Sequence, residues 1–259
     1  MKKLNSSFEG DLVKYYDLFF LQGRVSEEVQ YIQGLLGTYG KNNAHDAFID
    51  IGGGVGAHAA EFSKYYKHVM LLDISNDMVE YAKNYYFRDN ISYLCCDVCS
   101  FRQDKKYNVA TALSHVIGYQ LNNLSVEKML ININHLLEKD GLFFFNFYNE
   151  PALFDGKLKS RVQKVTSNNV EITRFSNAAI AADTNCLDLD YYYIIEQFGS
   201  EPLSIEIHEK MRYFTKLKLE YYLNKNGFET IRFVNYLTDN PLTSDTWNAG
   251  VLVKKVREI

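Results

Sequence analysis

The sequence predicts an α/β fold, a mainly parallel sheet covered by helices on both faces, with an antiparallel insertion late in the chain. Three observations carry this. Short apolar runs alternate with helical segments over residues 46–148, and a glycine-rich loop joins the first run to the helix after it. After Pro151 the hydrophobic period changes from helical to two residues.

Ahead of the sheet, Phe8–Phe20 sets Leu12, Tyr15, Tyr16, Phe19 and Phe20 at helical spacings. Ser26–Tyr39 reads as a second helix with Ser26 as N-cap and Gly37 and Gly40 as breakers. Ala47–Ile51 is a continuous apolar run ending in glycines, as buried parallel strands are. Ala57–Tyr66 follows as a helix, His68–Asp73 as a strand, and Ser75–Tyr86 as a helix capped by Ser75. Ile91–Cys96, Tyr107–Leu113 and Gly141–Tyr148 supply three more strands, with helix Val126–Leu137 before the last.

Beyond Pro151, the runs Arg161–Phe175, Thr184–Phe198 and Pro202–Phe214 alternate as strands do, with Leu187, Leu189, Tyr191 and Tyr193 on one face. Asn168-Asn169 and Gly199-Ser200 punctuate them as turns. Lys216–Asn226 is a helix stopped by Gly227, and Phe228–Tyr236 and Thr246–Lys255 read as two closing strands. The expected organisation is a helical cap (1–45), an α/β core (46–150), an antiparallel insertion (151–214) and a closing helix and strands (215–259).

Composition narrows the function. With 259 residues, 47% hydrophobic, 23% charged and three prolines, the chain has the makings of a sizeable core and none of a disordered segment. A net charge of −4 gives nucleic acid or an anionic membrane no global basic surface to meet, and the expected partner is a small molecule. No apolar stretch approaches the ~20 residues that span a bilayer, and MKKLNSSFEGDL carries no apolar signal region. Cys95, Cys96, Cys99 and Cys186 read as thiols of a reducing cytoplasm. For the cluster of three, buried strand thiols are the expectation, since no further pair completes a zinc set. Oligomeric state stays open, a homodimer included.

The informative stretch is Phe48-Ile-Asp50-Ile-Gly52-Gly-Gly54-Val-Gly56-Ala-His58. Glycines between a strand and a helix let backbone approach a ligand where a side chain would clash. Gly52-x-Gly54-x-x-Ala57 satisfies a dinucleotide fingerprint, Asp50-x-Gly52-x-Gly54-x-Gly56 fits an S-adenosylmethionine loop, and a bare tight turn is the third reading. Asp50 weighs for the second, because a carboxylate repels pyrophosphate and attracts an ammonium and a sulfonium. Asp73 ends the next strand, 21 residues beyond Gly52, where a carboxylate accepts from ribose hydroxyls. Met78 adds an apolar side chain one turn on, and Asp97-Val98 follows the third strand, where an acid accepts from an adenine amino group.

On these residues the chain resembles the class I S-adenosylmethionine-dependent methyltransferases over residues 46–148. The resemblance implies an α/β, Rossmann-like seven-stranded methyltransferase sheet with an antiparallel β insertion as substrate cover. It implies that Asp50, Gly52, Gly54 and Gly56 hold the methionine part and Asp73 the ribose, with Met78, Asp97 and Val98 around adenine and Ile74 and Ser114 in the cofactor set. Tyr16-Asp17-Leu18, Gln22-Gly23-Arg24, Ile117-Gly118 and Glu206-x-His208-x-x-x-Arg212-x-Phe214-Thr215 are similar to the glycine and amino-sugar N-methyltransferases. That finer likeness implies that Arg24 clamps the cofactor carboxylate and that Tyr16 belongs with His115 and Tyr119 to the catalytic set.

The expected reaction is methyl transfer from S-adenosylmethionine, leaving S-adenosylhomocysteine, to an amine or a hydroxyl of a small polar metabolite such as an amino sugar. Rival readings are a sugar O-methyltransferase, an NAD-dependent oxidoreductase and a silent cofactor-binding module. Methyl transfer from a sulfonium needs alignment, exclusion of water and sometimes a base. His115, after the fourth strand, has the intrinsic pKa of such a base. The amino-sugar enzymes place a His directly after Ile/Val-Gly, where this chain has Tyr119; His115 serves as base or lines the cleft, and Tyr119 positions substrate. On its strand His208 is expected to face the cleft and Glu209 to point outward.

Overall fold

The computed structural model describes residues 2–4, 6–21, 23–40, 46–154, 158–167 and 169–259, so Gln22 and Asn168 lie outside the described residues. In chain order the elements are β1 (Lys2–Leu4), α1 (Val25–Tyr39), β2 (Ala47–Ile51), α2 (Ala57–Phe62), β3 (His68–Asp73), α3 (Asn76–Tyr85), β4 (Ile91–Cys95), β5 (Tyr107–Ala112), α4 (Asn123–Leu136) and β6 (Leu137–Tyr148). They continue with α5 (Glu150–Leu153), β7 (Arg161–Ser167), β8 (Val170–Ala181), β9 (Cys186–Gln197), β10 (Leu203–Arg212), α6 (Lys216–Lys225), β11 (Phe228–Asn235) and β12 (Asn248–Lys255).

One sheet has seven strands in the order β4-β3-β2-β5-β6-β12-β11. The first five run parallel, and β12 is antiparallel to both of its neighbours. Alternate side chains separate the two faces. Ile49, Ile51, Phe143 and Phe145 pack with α4 and α6, whereas Phe48, Val69, Leu71 and Phe144 pack with α1, α2 and α3. Strand order reverses between β2 and β5, and a crevice opens beyond the carboxyl ends of the strands at such a reversal.

The second sheet, β1-β10-β9-β8-β7, is the insertion plus the N-terminal strand β1, which runs parallel to β10. Its apolar face, with Ile172, Tyr193, Ile195, Ile205 and Ile207, packs on Leu12 and Phe19. Farther along, Leu187, Leu189 and Met211 pack on Leu153 of α5 and on Tyr213. Among the described residues no helix is long and apolar enough to cross a membrane.

Several expectations change. Phe8–Phe20 does not form one α-helix; it forms a 3-10 segment, Gly10–Tyr15, and a wide turn, Asp17–Leu21. The reason is two-sided packing: Val13 packs with Val55, Ala57 and Met78 of the core, while Leu12 and Phe19 pack under the second sheet. Ser26 is not the N-cap of α1, which begins one residue earlier with Arg24 at that position and no capping side chain. Helix α2 stops at Phe62, and the turn after it brings Tyr66 onto Phe48, with ring centroids 4.7 Å apart. The three inserted runs become four strands, because Arg161–Phe175 divides at the turn and the second part continues to Ala181. Cys95 is exposed and Cys96 and Cys99 are half-buried, so of the four thiols only Cys186 is a buried one. The expected cap Ser75 is in place, its hydroxyl accepting from Met78 N at 3.2 Å.

Candidate active site

The crevice is a cleft of about 930 Å³ over the ends of β2, β3, β4 and β5. That volume accommodates a cofactor-sized ligand. Its floor begins at Asp50, only 2% exposed. Asp50 Oδ1 accepts from the Thr111 hydroxyl at 2.8 Å, and Oδ2 has no partner. Burial pushes this carboxyl up to about 6, with the neighbouring His58 and the Thr111 hydrogen bond pulling the other way. A buried acceptor without a donor is costly, and its presence here marks a place for a cation or donor from a ligand.

The glycine loop rises from this floor. Gly52 has φ +67, and a Cβ there would lie 2.4 Å from Val116 Cγ2, so both conformation and space require glycine. Gly54 has φ +53 and nothing within 4 Å of a Cβ position. Asp73, at the end of β3, accepts from Gly54 N on Oδ2 and from Ser75 N on Oδ1, each at 2.8 Å. Burial raises its carboxyl as well, and these backbone donors offset part of the rise.

The cleft gathers Asp50, Gly52, Gly54, Asp73, Ile74, Asp97, Val98 and Ser114 along its wall, and Tyr16 and Tyr119 line it too. Ile74 is 70% exposed, an apolar face ready to be covered. Gly56 and Met78 stand behind the wall; Met78 is fully buried against Val13, Val55 and Ala57. Arg24 is exposed at the start of α1 and borders neither the cleft nor the chamber beside it.

That chamber, about 320 Å³, adjoins the cleft. Phe8, Tyr16, His58, Ser114, Tyr119 and Glu209 border both spaces. Its walls are aromatic and polar: His115, Tyr148, Tyr191, Asn146 and Arg174. Ser114 and His115 are consecutive residues with φ +55 and +63, a strained turn that aims both side chains. Asn146 holds it, accepting from His115 N at 3.0 Å and donating to Asn248 Oδ1 at 2.9 Å. The His115 ring stacks on Tyr148 with centroids 4.0 Å apart, and its Nε2 has no partner. Burial pushes this imidazole down to about 4, opposed by a hydrogen bond with Asn248. It is therefore neutral near pH 7, an acceptor rather than a cation. Burial likewise keeps the Tyr16 and Tyr119 phenols protonated.

The facing of the last inserted strand differs from the expectation at Glu209. Glu209 is 8% exposed and faces the chamber, while His208 borders the cleft only from the exposed face of β10, where it pairs with Asp190 at 2.6 Å. The signal was in the sequence: Ile205, Ile207 and Met211 are buried on one face of β10, and Glu209 shares their phase. Tyr148, Tyr191 and His58 also went unselected.

Comparison with known proteins agrees with this geometry. Residues 48–141 match the family model described as a methyltransferase domain. No curated protein sequence matches the chain. Among solved structures, an S-adenosylmethionine-dependent methyltransferase from Clostridium acetobutylicum superposes with a TM-score of 0.79 at 15% identity, over 93% of this chain and 96% of that one. The amino pentose methyltransferase CalS10 of Micromonospora echinaspora gives 0.77 at 13%, over 97% and 100%. The sugar N-methyltransferase KedS8 of a Streptoalloteichus species gives 0.75 at 16%, over 97% and 98%. Over residues 48–141 the chain carries a methyltransferase domain, and its fold is that of the S-adenosylmethionine-dependent methyltransferases it superposes on. The cleft has what S-adenosylmethionine, the donor named for the Clostridium enzyme, would require: an unpartnered buried carboxylate for a cation, a glycine loop for close approach and an exposed apolar face for a base.

Proposed function

We propose that this protein methylates an amine nitrogen of a small polar metabolite, such as an amino sugar, in the cytoplasm. The observation that carries the proposal is Glu209, a buried carboxylate in a tyrosine-lined chamber that opens onto the donor cleft. A carboxylate among aromatic faces attracts an amine more strongly than a hydroxyl, and the amine gives its proton to solvent before it reacts as the neutral nitrogen. CalS10 and KedS8, an amino pentose and a sugar N-methyltransferase, point the same way.

In this reading Asp50 receives the donor's ammonium and Asp73 the ribose hydroxyls. Ile74, Asp97 and Val98 border adenine, and Gly52, Gly54 and Ser114 admit the chain that carries the sulfonium. Gly56 and Met78 support the wall from behind. When bound, the donor supplies an electrophilic methyl carbon on sulfur. The second sheet, with the N-terminal strap of residues 6–21, covers the acceptor and excludes water. Glu209 holds the amine, while Tyr16 and Tyr119 fix its approach at the junction of the two spaces. His115 accepts an N–H hydrogen bond and directs the nitrogen lone pair. With its pKa near 4 it is far too weak a base to ionise an aliphatic hydroxyl, which favours nitrogen over oxygen as acceptor.

The test is incubation with methyl-labelled donor and a panel of amino sugars beside their hydroxyl counterparts, with products read by mass spectrometry and NMR. Label on nitrogen is the expected result. An O-methyl product overturns the proposal.

A further inference from the structure

The donor's amino-acid end carries a carboxylate as well as an ammonium, and Asp50 answers only the ammonium. Among the described residues bordering the cleft, His58, His208 and Lys210 can carry positive charge. Two of them are engaged on the outer face of the second sheet, His208 with Asp190 at 2.6 Å and Lys210 with Asp188 at 3.2 Å. Arg24, which the family resemblance puts forward, borders no part of the cleft.

His58 has what the other three lack. It sits two residues beyond Gly56, on α2, and borders both the donor cleft and the acceptor chamber. Its Nε2 lies 2.7 Å from Glu28 Oε2, and the two side chains are only 12% and 19% exposed. The pair joins α1 to α2 behind the glycine loop and fixes the ring, leaving Nδ1 as the nitrogen for a further partner. A ring held by Glu28 through Nε2 can donate from Nδ1 to a second carboxylate, a charge-assisted contact that is favourable where water is scarce.

We infer that His58, oriented by Glu28, binds the carboxylate of the methyl donor and so selects a complete amino-acid end. The inference rests on the assignment of Asp50 to the donor's ammonium.

Calorimetric titration tests it with S-adenosylhomocysteine and its decarboxylated analogue, which keeps the amine and lacks the carboxylate. His58→Ala is expected to weaken S-adenosylhomocysteine binding by about ten- to a hundredfold, the worth of one charge-assisted hydrogen bond. The analogue should change by less than about threefold, since it never makes that bond. Glu28→Gln should produce the same selective loss in milder form, and it carries the test if His58→Ala does not fold. Asp50→Asn should weaken both ligands, and Arg24→Ala neither. Equal losses for the two ligands in the His58 and Glu28 variants would mean a merely structural pair and overturn the inference. So would carboxylate discrimination that resides in Arg24. Failure of the unaltered protein to bind either ligand would instead bring down the donor-site assignment itself, and this inference with it.

Discussion

The backbone N–H of Ser7 donates to Glu209 Oε1 at 2.6 Å, joining residues 202 positions apart. This contact ties the N-terminal strap to the strand that covers the acceptor chamber. It occupies one carboxylate oxygen of Glu209 and leaves the other to the chamber. The strap is also fastened to the core, where Gly10 N donates to Asp77 at 2.8 Å and the Ser75 hydroxyl donates to the carbonyl of Phe8. Phe8 and Tyr16 are thereby held between the cleft and the chamber, both of which they border.

Donor binding should depend on pH through Asp50. Its carboxyl in the free protein is pushed up to about 6, whereas an ammonium partner favours the ionised form. Binding below pH 6 must therefore expel a proton, so affinity falls as pH drops and levels off above pH 7. At pH 5 the affinity for S-adenosylhomocysteine should be about tenfold below that at pH 7, one unit below the titration point. Calorimetry at both pH values checks this, and Asp50→Asn should bind weakly at both.

The same group has the opposite effect on stability. A carboxyl whose pKa is raised on folding stabilises the fold fully below its unfolded value of 3.8 and loses that contribution as pH rises through about 6. Asp50→Asn should therefore stabilise the donor-free protein at neutral pH by about 1–3 kcal/mol, by removing a buried charge with one unsatisfied oxygen. Thermal melts without ligand read this directly, and a lower melting temperature would contradict it.

Two glycines should fail in different ways. Gly52→Ala meets Val116 at 2.4 Å in a left-handed conformation and should lower stability sharply. Gly54→Ala has free space at its Cβ position and should cost about 1 kcal/mol of backbone strain. It should nevertheless weaken donor binding, because the added methyl enters a position open to the cleft. Paired melts and titrations separate the two.

Much of this was legible beforehand. β3 is His68–Asp73, as its apolar run indicates, because strands buried on both faces carry a continuous hydrophobic signature. The strand-end acids Asp50 and Asp73 follow from that register. The strap was not legible: its apolar residues serve two different partners, and only tertiary packing shows which. Arg24 and Met78 carry the family's pattern in sequence, yet Arg24 sits outside the cleft and Met78 beneath its wall. Glu209 was expected to point outward because a carboxylate is costly to bury, although its phase with Ile205, Ile207 and Met211 sets it on the buried face.

His115→Ala should reduce kcat by no more than about tenfold at saturating donor, since a general base would be worth about 10²–10⁴-fold and an imidazole titrating near 4 orients rather than deprotonates. The pH–rate profile should show no limb from His115 between pH 6 and 9. Tyr119→Phe should raise the acceptor KM with little change in kcat. A hundredfold loss of kcat in His115→Ala would make it an essential base and favour an oxygen acceptor.

Glu209→Gln bears most directly on the division of labour between cleft and chamber. The variant keeps size and the acceptor oxygen for Ser7 while removing the charge. Acceptor kcat/KM should fall by about ten- to a hundredfold, matching a lost charge-assisted contact, while the Kd for S-adenosylhomocysteine stays within about twofold. A variant that methylates its acceptor as well as the unaltered protein, or that loses donor and acceptor binding alike, would contradict the account.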